Sequence, residues 1–566
     1  MCNSACVGQE SHPRGGFAMK GVTAIANILK MEGVDFVGCI PSNPLIEAVA
    51  VAGIRPILFR QERVGVHAAD GYSRVTNGRR IGVFTMQAQA GTENTFGGIA
   101  QAYDESVPIL IFPGSAARRR MGVRPIFNPT KSFADITKWA DQINMTERVP
   151  EMMRRAFGYL KSGRPGPVVL ELPSDVADGE LAEDDFDYVP VKPRRTAGDP
   201  QDVKEAASAL LSAKRPVIHA GQGVLYAEAS DELKELAELL QAPVMTTLPG
   251  KSAFPENHPL SIGSGGATTT AAVVHFVRQA DLVFGIGTSF TLTGYGVTIP
   301  KGKVMIHSTN DPSDIDKDYR IDYAVVGDSK LVLQQLIEEV KAQAGAAGKR
   351  EGAQVVAEIK SVKEEWLNRW MPKLTSDEVP ITPYRVIWDL MNNVDRKQTI
   401  INHDSGSPRD QMSPFFETLV PRSFIGWGKS TQLGYGLGLA MGAKLAAPEK
   451  LVVNVMGDTA FGEVGLDFET AVREQIPILT IVLNNSGMGI YGPDRFPVAQ
   501  ERYGTKNVTG NYAKIAEALG GYNERVEKPE DVAPAILRAR QVVADGQPAL
   551  LEVITSLEYA VSDRLR

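Results

Sequence analysis

Cysteine is scarce in this chain of 566 residues, which contains only Cys2, Cys6 and Cys39. Three cysteines cannot build a disulfide framework, and none of them stands at a metal-ligand spacing from a histidine. Long apolar runs are also missing, because the longest ones, such as 107–112 and 478–483, have the length of a strand rather than of a membrane span. These absences predict a reduced, cytoplasmic protein without a membrane segment or a zinc–cysteine site. The first 18 residues lack the apolar core of a signal peptide, and their role is open.

Concentrated positive charge is missing as well. The chain has 60 Lys and Arg against 67 Asp and Glu, a net charge of −7, and its one tight basic run is 118–120. Nucleic-acid binding, which needs a concentrated basic face, is therefore not expected. What the chain does have is 43% apolar residues with 22% charged ones, which excludes general disorder. The chain is longer than a domain with a single hydrophobic core usually is, and its length predicts three or four domains.

Short apolar runs alternate with amphipathic stretches in three segments, 19–185, 200–345 and 379–566, which polar stretches separate. Continuous apolar runs of this length are typical of buried parallel strands, and the stretches between them are typical of crossover helices. The runs are VDFVGCI, RPILF, RIGVFTM, VPILIFPG and PGPVVLELP, then RPVIHAG, APVMTTL, ADLVFGIG, KVMIHS and YAVVGD, then QTIINHD, SFIGW, KLVVNVMGD, PILTIVLNN and PALLEVIT. The predicted fold class is α/β, with three domains on mostly parallel sheets of the six-stranded type.

The third segment contains two apolar strands that lead into polar residues. One, 451–456, leads into Asp458, and the other, 478–483, leads into Asn485 after a helix-period stretch. Parallel strands joined by a crossover helix present their carboxyl ends at one edge of the sheet, where ligands of open α/β sheets bind. The sequence therefore predicts that Asp458 and Asn485 converge on one site.

The residues around these two strand ends suit a metal–diphosphate site. A carboxylate, an amide oxygen and nearby carbonyl groups are hard oxygen donors of the kind that Mg²⁺ prefers. The amides of Thr459 and Ala460, at a helix start, are suited to cradle a diphosphate. The alternative is that Asp458 caps the helix and the paired asparagines form a turn. Either feature alone would favour that alternative, whereas both on one strand–helix–strand unit favour the cofactor site.

The order Gly-Asp-x, a stretch of about two dozen residues and Asn-Asn resembles the thiamine diphosphate signature. Thr459 stands at the third position, where acetolactate synthase-like members often carry a small residue in place of glycine. The resemblance implies that Asp458, Asn485 and the carbonyl of Gly487 bind Mg²⁺, which holds the diphosphate. It covers nearly the whole chain from Met19 onwards, as a pyrimidine-binding, a central and a diphosphate-binding domain.

The segment FRQERVGVHAADGYSR is similar to the one in which this family carries its catalytic glutamate. The resemblance implies that Glu62 hydrogen-bonds the pyrimidine ring of the cofactor and activates it. The alternative for Glu62 is a favourable charge at a helix N-terminus. His67, in the same predicted helix, is interpreted as a buried structural residue. The family fold also implies that Glu62 and Asp458 serve one cofactor from different subunits of a homodimer or homotetramer.

Other segments resemble the parts of the family that surround the cofactor and the substrate, among them QAQAGTENTFGGIAQAY, NHDSGSPRDQ and WGKSTQLGYGLGLAMGAKLAAP. Leu433 falls where the family places a bulky apolar residue under the cofactor. The implied cofactor-binding residues are Gly91, Asn94, Ser405, Gly406, Ser407, Thr431, Leu433, Gly457, Asp458, Thr459, Ala460, Asn485, Gly487 and Met488. The implied substrate-facing residues are Ser42, Gln87, Phe127, Asn128, Ile490 and Tyr491.

Two departures from the family pattern bear on the ligands. SGMGIYGPDRF follows Asn485 where synthases carry a glutamine–tryptophan pair that selects the second 2-oxo acid, and its loss argues against true acetolactate synthesis. In the central segment, Gly221-x-Gly223 alone is a weak nucleotide signal, and GTSFTLTG lacks the arginine of the family's FAD-binding stretch. FAD is therefore not expected, and an empty, vestigial site is favoured over one for another nucleotide or CoA.

The sequence thus predicts an enzyme that uses thiamine diphosphate and Mg²⁺ to cleave or form carbon–carbon bonds, as a decarboxylase or carboligase of a 2-oxo acid or aldehyde. A 2-hydroxyacyl-CoA lyase or an oxalyl-CoA decarboxylase is the alternative, although the asparagine–threonine–methionine stretch usual there is absent from NHDSGSPRDQ. A nucleotide-binding protein that kept the fold and lost catalysis is a third hypothesis. The joint presence of Glu62, Asp458 and Asn485 counts against it.

Overall fold

The computed structural model describes residues 18–344 and 353–565. Their strands form three six-stranded parallel sheets and one small antiparallel pair, and helices accompany each sheet, so the predicted α/β fold class is confirmed. Cys2 and Cys6 lie outside the described residues, whereas Cys39 is buried. Within the described ranges, no helix is long and apolar enough to cross a membrane.

The first domain contains strands β1 Ala18–Lys20, β2 Phe36–Cys39, β3 Arg55–Leu58, β4 Gly82–Met86, β5 Ile109–Ser115, β6 Trp139–Gln142, β7 Val168–Pro173 and β8 Glu180–Ala182. Its helices are α1 Gly21–Met31, α2 Leu45–Val51, α3 Glu62–Val75, α4 Ala90–Asn94, α5 Phe96–Asp104, α6 Pro129–Ser132, α7 Val149–Lys161 and α8 Ser174–Ala177. The parallel sheet has the order β3-β2-β4-β5-β7-β6, and β1 pairs antiparallel with β8.

The central domain contains strands β9 Pro216–Ala220, β10 Val244–Thr247, β11 Ser261–Gly265, β12 Leu282–Ile286, β13 Val304–Thr309 and β14 Tyr323–Val326. Its helices are α9 Pro200–Ser212, α10 Gln222–Tyr226, α11 Ser230–Leu240, α12 Ala271–Gln279 and α13 Ser329–Ala344. The sheet order is β11-β10-β9-β12-β13-β14. A long helix, α14 Ala353–Leu374, leads from this domain to the next.

The third domain contains strands β15 Thr399–His403, β16 Phe424–Ile425, β17 Leu451–Gly457, β18 Leu479–Asn484, β19 Tyr522–Val526 and β20 Ala549–Ile554. Its helices are α15 Pro383–Asn392, α16 Ser407–Phe415, α17 Tyr435–Ala446, α18 Asp458–Val464, α19 Phe468–Arg473, α20 Pro497–Tyr503, α21 Tyr512–Ala518 and α22 Val532–Ala544. The sheet order is β16-β15-β17-β18-β20-β19.

Both faces of the first and third sheets are buried. Along β4, Val83 packs into one core and Phe84 into another. Along β17, Val453 packs into a core of the third domain, whereas Val452 packs into the same core as Phe84. One apolar core therefore joins the first and third domains, which the sequence predicts to share a cofactor.

Helices α3 and α17 meet in that shared core. A Cβ atom at Gly438 would lie 2.4 Å from the carbonyl oxygen of Val64, and one at Gly442 would lie 1.9 Å from that of Ala68. Glycine at these positions therefore allows the two helices to approach closely. Because Gly438 faces Val64 and Gly442 faces Ala68, the helices run in the same direction. Glu62, the first residue of α3, consequently lies on the side where α17 begins.

Candidate functional site

The carboxyl ends of β17 and β18 lie side by side, since Gly457 pairs with Leu483. Asp458 follows as the first residue of α18 and is buried. The backbone N–H of Gly487 donates to Asp458 Oδ2, at 3.3 Å, and to Asn485 Oδ1, at 3.0 Å. The structure thus brings together the three residues that the sequence predicts as metal ligands.

The donor set at this sheet edge fits Mg²⁺ and not a softer metal. It offers a carboxylate, an amide oxygen and the carbonyl oxygen of Gly487, which are hard ligands. Within the described residues, no three His, Cys, Asp or Glu side chains cluster together. An Mg²⁺ site with one carboxylate does not require such a cluster. Burial raises the pKa of Asp458, while N–H bonds from Thr459 and Gly487 oppose the rise. A bound cation would stabilise the charged carboxylate.

The other predicted cofactor segments of the third domain lie after β15 and before α17. Ser405 Oγ donates to the carbonyl oxygen of Thr431 at 3.0 Å, which links the loop after β15 to the loop before α17. Gly406, at φ +82°, adopts the left-handed conformation that favours glycine, and Ser407 then begins α16. Leu433 packs against the apolar core shared with the first domain.

Glu62 lies at the start of α3 and is 9% exposed. Asn94 Nδ2 donates to Glu62 Oε2 at 3.2 Å. A Cβ atom at Gly91 would lie 3.2 Å from Glu62 Oε1, so a larger residue there would crowd the carboxylate. The structure therefore brings Glu62, predicted to contact the pyrimidine ring, together with Gly91 and Asn94, which the resemblance places in the cofactor-binding segment of the same domain.

The residues on both sides of Glu62 are attached to the third domain of the same chain. The backbone N–H of Arg60 donates to Asp467 Oδ1 at 2.8 Å, and Arg63 pairs with Glu463 at 3.2 Å. Asp467 is buried, which raises the pKa of its carboxyl to about 6, and the Arg60 N–H bond opposes that rise. The sequence analysis missed Asp467, because its partner is distant in the chain.

His67 is a buried structural residue in this arrangement. Its Nε2 lies 2.6 Å from Gln432 Oε1, and its ring packs edge-on against Tyr435. Burial lowers the pKa of His67 to about 3, so the imidazole is neutral at physiological pH. These contacts join α3 to the loop before α17 and support the structural interpretation.

We expect the burial of His67 to weaken the protein in acid. Its pKa in the folded state, about 3, lies below the ordinary 6.5, so the unfolded chain takes up the proton first as the pH falls below 6.5. Between pH 6.5 and roughly pH 4 this group lowers the free energy of unfolding by about 3 kcal/mol. Urea unfolding at pH 6.5 and at pH 4 measures the loss of unfolding free energy on acidification. That loss should be smaller in His67→Gln than in the wild type by the same amount. An equal difference in both proteins would contradict the prediction.

The residues predicted to face the substrate form two separate groups. Ser42, Gln87 and Asn128 of the first domain are exposed, and Phe127 is partly buried. Asn128 Oδ1 also caps α6, accepting from the N–H of Lys131 at 3.0 Å.

In the third domain, Ile490 and Tyr491 are 43% and 37% exposed. Among the described residues, no hydrogen bond or ring contact joins either of them to the group in the first domain. Their assignment to one substrate pocket stays a prediction.

A buried carboxyl that the sequence analysis missed lies next to the substrate-facing group of the first domain. Glu171, near the end of β7, lines a small cavity of about 20 Å³ together with Phe127 and Asn128. Burial raises the pKa of Glu171, and side-chain hydrogen bonds, chiefly the one with Ser115, oppose the rise. The sequence signal was an acidic residue inside a continuous apolar strand.

A cavity of about 630 Å³ lies at the carboxyl edge of the central sheet. Its walls include Gln222 after β9, Thr288 after β12 and Asn310 after β13. His219 also lines it, and neither of its ring nitrogens has a hydrogen-bond partner among the described residues. Burial lowers the pKa of His219 to about 4, so its ring is neutral. This is the place where the sequence favours a vestigial nucleotide site.

Three family models match the chain, one in each of its three domains. Residues 19–145 match the N-terminal TPP (thiamine pyrophosphate) binding domain of thiamine pyrophosphate enzymes. Residues 203–336 match the central domain of these enzymes, and 404–553 match their C-terminal TPP binding domain. Glu62 lies in the first match, and Asp458 and Asn485 lie in the third.

Similar proteins align with almost the whole chain. A probable acetolactate synthase large subunit of Methanocaldococcus jannaschii is 34% identical over 95% of this chain and 92% of its own length. An acetolactate synthase of Mycobacterium bovis is 29% identical over 96% and 89%, respectively. A glyoxylate carboligase of Escherichia coli O157:H7 is 30% identical over 95% and 93%.

Proposed function

This chain belongs to the acetolactate synthase-like family of thiamine diphosphate-dependent enzymes, and on that premise we propose that it decarboxylates a small 2-oxo acid and joins the remaining fragment to a carbonyl acceptor. The observation that carries the proposal is the convergence of Asp458, Asn485 and Gly487 at one sheet edge. The cluster of Glu62 with Asn94 in the other cofactor-binding domain supports it further.

We assign the chain's own residues to the two ends of the cofactor. Thiamine diphosphate, when bound, supplies an electron sink for the carbon that loses its carboxylate. Asp458, Asn485 and the Gly487 carbonyl would hold Mg²⁺ on the diphosphate. Glu62 would hold a proton at the ring nitrogen of the pyrimidine, and Leu433 would support the middle of the cofactor from below.

Small 2-oxo acids and aldehydes are the proposed substrates. Relatives of similar identity carry the names of an acetolactate synthase and of a glyoxylate carboligase. The missing glutamine–tryptophan pair after Asn485 argues against acetolactate synthesis itself. A carboligase with a different acceptor therefore fits the chain better, and acyl-CoA substrates are the competing class.

A substrate panel tests this proposal. The purified protein, supplied with thiamine diphosphate and Mg²⁺, is incubated with 2-oxo acids including glyoxylate, with aldehydes and with 2-hydroxyacyl-CoAs. Release of CO₂ and a carboligation product from a 2-oxo acid is the expected result. Turnover of an acyl-CoA alone would favour the lyase alternative, and no turnover of any member would overturn the proposal.

We propose that the active unit is a homodimer or a dimer of dimers in which each cofactor lies between Glu62 of one subunit and Asp458 of the other. Large apolar side chains exposed in both cofactor-binding domains support a partner surface. Phe96, two residues after Asn94, is 45% exposed, and Phe496 in the third domain is 51% exposed.

Mixing two inactive variants tests whether the sites are shared. In a hybrid dimer of Glu62→Gln and Asp458→Ala subunits, one site has lost both residues and the other has both intact. If subunits exchange at random, half of the dimers are hybrids, so activity should return to about a quarter of the wild-type value. The measurement is turnover after mixing and exchange, with each variant alone as the control. No recovery after demonstrated exchange would mean that each site lies within one chain.

Against the sequence expectation of an empty, vestigial site, we also propose that the central cavity binds a nucleotide-sized ligand. Its volume of about 630 Å³ and the unpaired ring nitrogens of His219 support an occupant. Lys429 from the third domain adds a basic group to its walls, where Arg164 of the first domain pairs with Asp314 at 2.8 Å. Heat denaturation of the purified protein should release a ligand with a nucleotide absorption spectrum, and visible absorption would identify a flavin. A clear supernatant, with no thermal stabilisation by added FAD, ADP or CoA, would favour the vestigial site.

A further inference from the structure

Asp404 follows β15 and is fully buried at the carboxyl edge of the third sheet. One of its carboxylate oxygens accepts from the backbone N–H of Ser405, at 2.6 Å, and from that of Gly434, at 3.1 Å. The other oxygen accepts from the backbone N–H of Gly436 at 2.7 Å. One side chain therefore holds two loops together that are distant in the sequence.

Those two loops, 404–407 and 431–436, carry five of the residues predicted to bind the cofactor. A second link, between the hydroxyls of Ser405 and Thr431 at 2.9 Å, joins the same loops. Gly434, at φ +81°, takes the left-handed conformation that lets its N–H turn towards the carboxylate. Hydrogen bonds within the chain itself therefore fix the two loops to each other.

The chemistry around Asp404 is unusual for a buried carboxylate. Within the described residues, all of its hydrogen-bond donors are backbone N–H groups, and no lysine or arginine pairs with it. Burial raises the pKa of Asp404 to about 6, and the N–H bonds oppose the rise. Asn402 completes the surroundings, donating to the carbonyl of Gly436 and to Asn454 Oδ1 at 3.0 Å each. An apolar replacement would leave three buried N–H groups without partners.

We propose that Asp404 is a positioning residue for the cofactor, setting the spacing of loops 404–407 and 431–436 before thiamine diphosphate binds. The inference rests on the proposed function, because the loops matter to catalysis only if they cradle the cofactor. Asp404 itself touches backbone groups and acts through the loops that carry Ser405 and Leu433. Its loss should therefore weaken cofactor binding more than the chemical step.

The test compares Asp404→Asn with Asp389→Asn. An asparagine keeps the size of the side chain, but its NH₂ group must face the N–H of Gly434 or that of Gly436, so one of the two bonds to loop 431–436 is lost. Asp389 lies in the same domain, is nearly buried and pairs with Arg385, which makes it a matched control away from the loops. For each protein we would measure the thermal midpoint without cofactor, the half-saturating thiamine diphosphate concentration with excess Mg²⁺, and kcat at saturation.

Asp404→Asn should raise the half-saturating cofactor concentration by about tenfold or more, while kcat at saturation falls by a smaller factor; loss of one buried charge-assisted hydrogen bond has about this effect. Asp389→Asn should leave the half-saturating concentration unchanged. An unchanged half-saturating concentration in Asp404→Asn, with a lowered thermal midpoint, would show a merely structural role. If the wild type itself shows no saturable response, the proposed function fails, and not this inference alone.

Hydrogen exchange on the wild-type protein keeps the proposal testable if Asp404→Asn does not fold. The amides of Ser405, Gly434 and Gly436 should already be protected without cofactor and should exchange together. Protection that arises only after thiamine diphosphate is added would overturn the proposal, since the loops would then be ordered by the cofactor and not by Asp404.

Discussion

Replacing Glu62 by glutamine should lower kcat by about a hundredfold to ten-thousandfold, the range typical of a lost general acid–base group. Glutamine keeps the size of the side chain and its hydrogen bond with Asn94, but it cannot hold or release the proton that the pyrimidine ring requires. Because the metal end of the site is untouched, the half-saturating thiamine diphosphate concentration should change little. Steady-state turnover of the best 2-oxo acid, together with a cofactor titration, measures both quantities.

Glu47→Gln is the matched control for this variant. Glu47 lies on α2 of the same domain and is exposed, so the same chemical change there should leave turnover unaltered. Full turnover by Glu62→Gln would contradict the assignment of this residue as the catalytic glutamate. It would favour the alternative, in which the negative charge of Glu62 stabilises the N-terminus of α3.

Replacing Asp458 by alanine should abolish Mg²⁺-dependent cofactor binding. The variant removes the carboxylate of the proposed ligand set, and loss of outer ligand partners alone typically weakens metal binding by about 10–100-fold. We therefore expect the half-saturating thiamine diphosphate concentration to rise by at least about a hundredfold. Calorimetric titration of the cofactor into protein with and without Mg²⁺ measures the effect.

Asp531→Ala serves as the control, because Asp531 is an exposed aspartate of the same domain and is not one of the predicted site residues. Its cofactor titration should match the wild type. Normal Mg²⁺-dependent binding by Asp458→Ala would contradict the metal assignment and would favour the alternative in which Asp458 is a helix cap.

The fold was largely accessible from the sequence, apart from five strands: the short antiparallel pair of β1 and β8, and one edge strand in each six-stranded sheet. Each predicted apolar run contains a strand. Each six-stranded sheet also has an edge strand that lies outside the predicted runs, namely β6, β11 or β19. β6 and β19 are partly exposed, so their sequences mix polar and apolar residues. β11, SIGSG, is buried but consists mainly of glycine and serine. An edge position needs no continuous apolar run.

The family, the cofactor class and the enzyme class predicted from the sequence are confirmed. The convergence of Asp458 and Asn485 followed from strand ends alone, because parallel neighbours fix which residues share an edge. The contact between Glu62 and Asn94 was not predicted and comes from the structure, since no periodicity relates α3 to α4. The individual roles of these residues remain predictions.

Asp404 and Asp467 could not be found from the sequence. Each is an acidic residue at the end of a strand or in a short turn, a place where such residues commonly cap helices. Their structural roles depend on N–H donors that are distant in the sequence: Gly436 for Asp404 and Arg60 for Asp467. Only the folded chain shows that one joins two cofactor loops and the other holds the loop before Glu62.

The central claim is that Glu62 and Asp458 mark opposite ends of one thiamine diphosphate molecule. A crystal structure with the cofactor and Mn²⁺, which accepts the oxygen ligands that suit Mg²⁺, tests it most directly. We predict an anomalous peak at roughly 2 Å from oxygens of Asp458, Asn485 and Gly487, with the pyrimidine within hydrogen-bonding distance of a Glu62 carboxylate. A metal bound elsewhere, or a cofactor whose pyrimidine lies away from both copies of Glu62, would contradict the account.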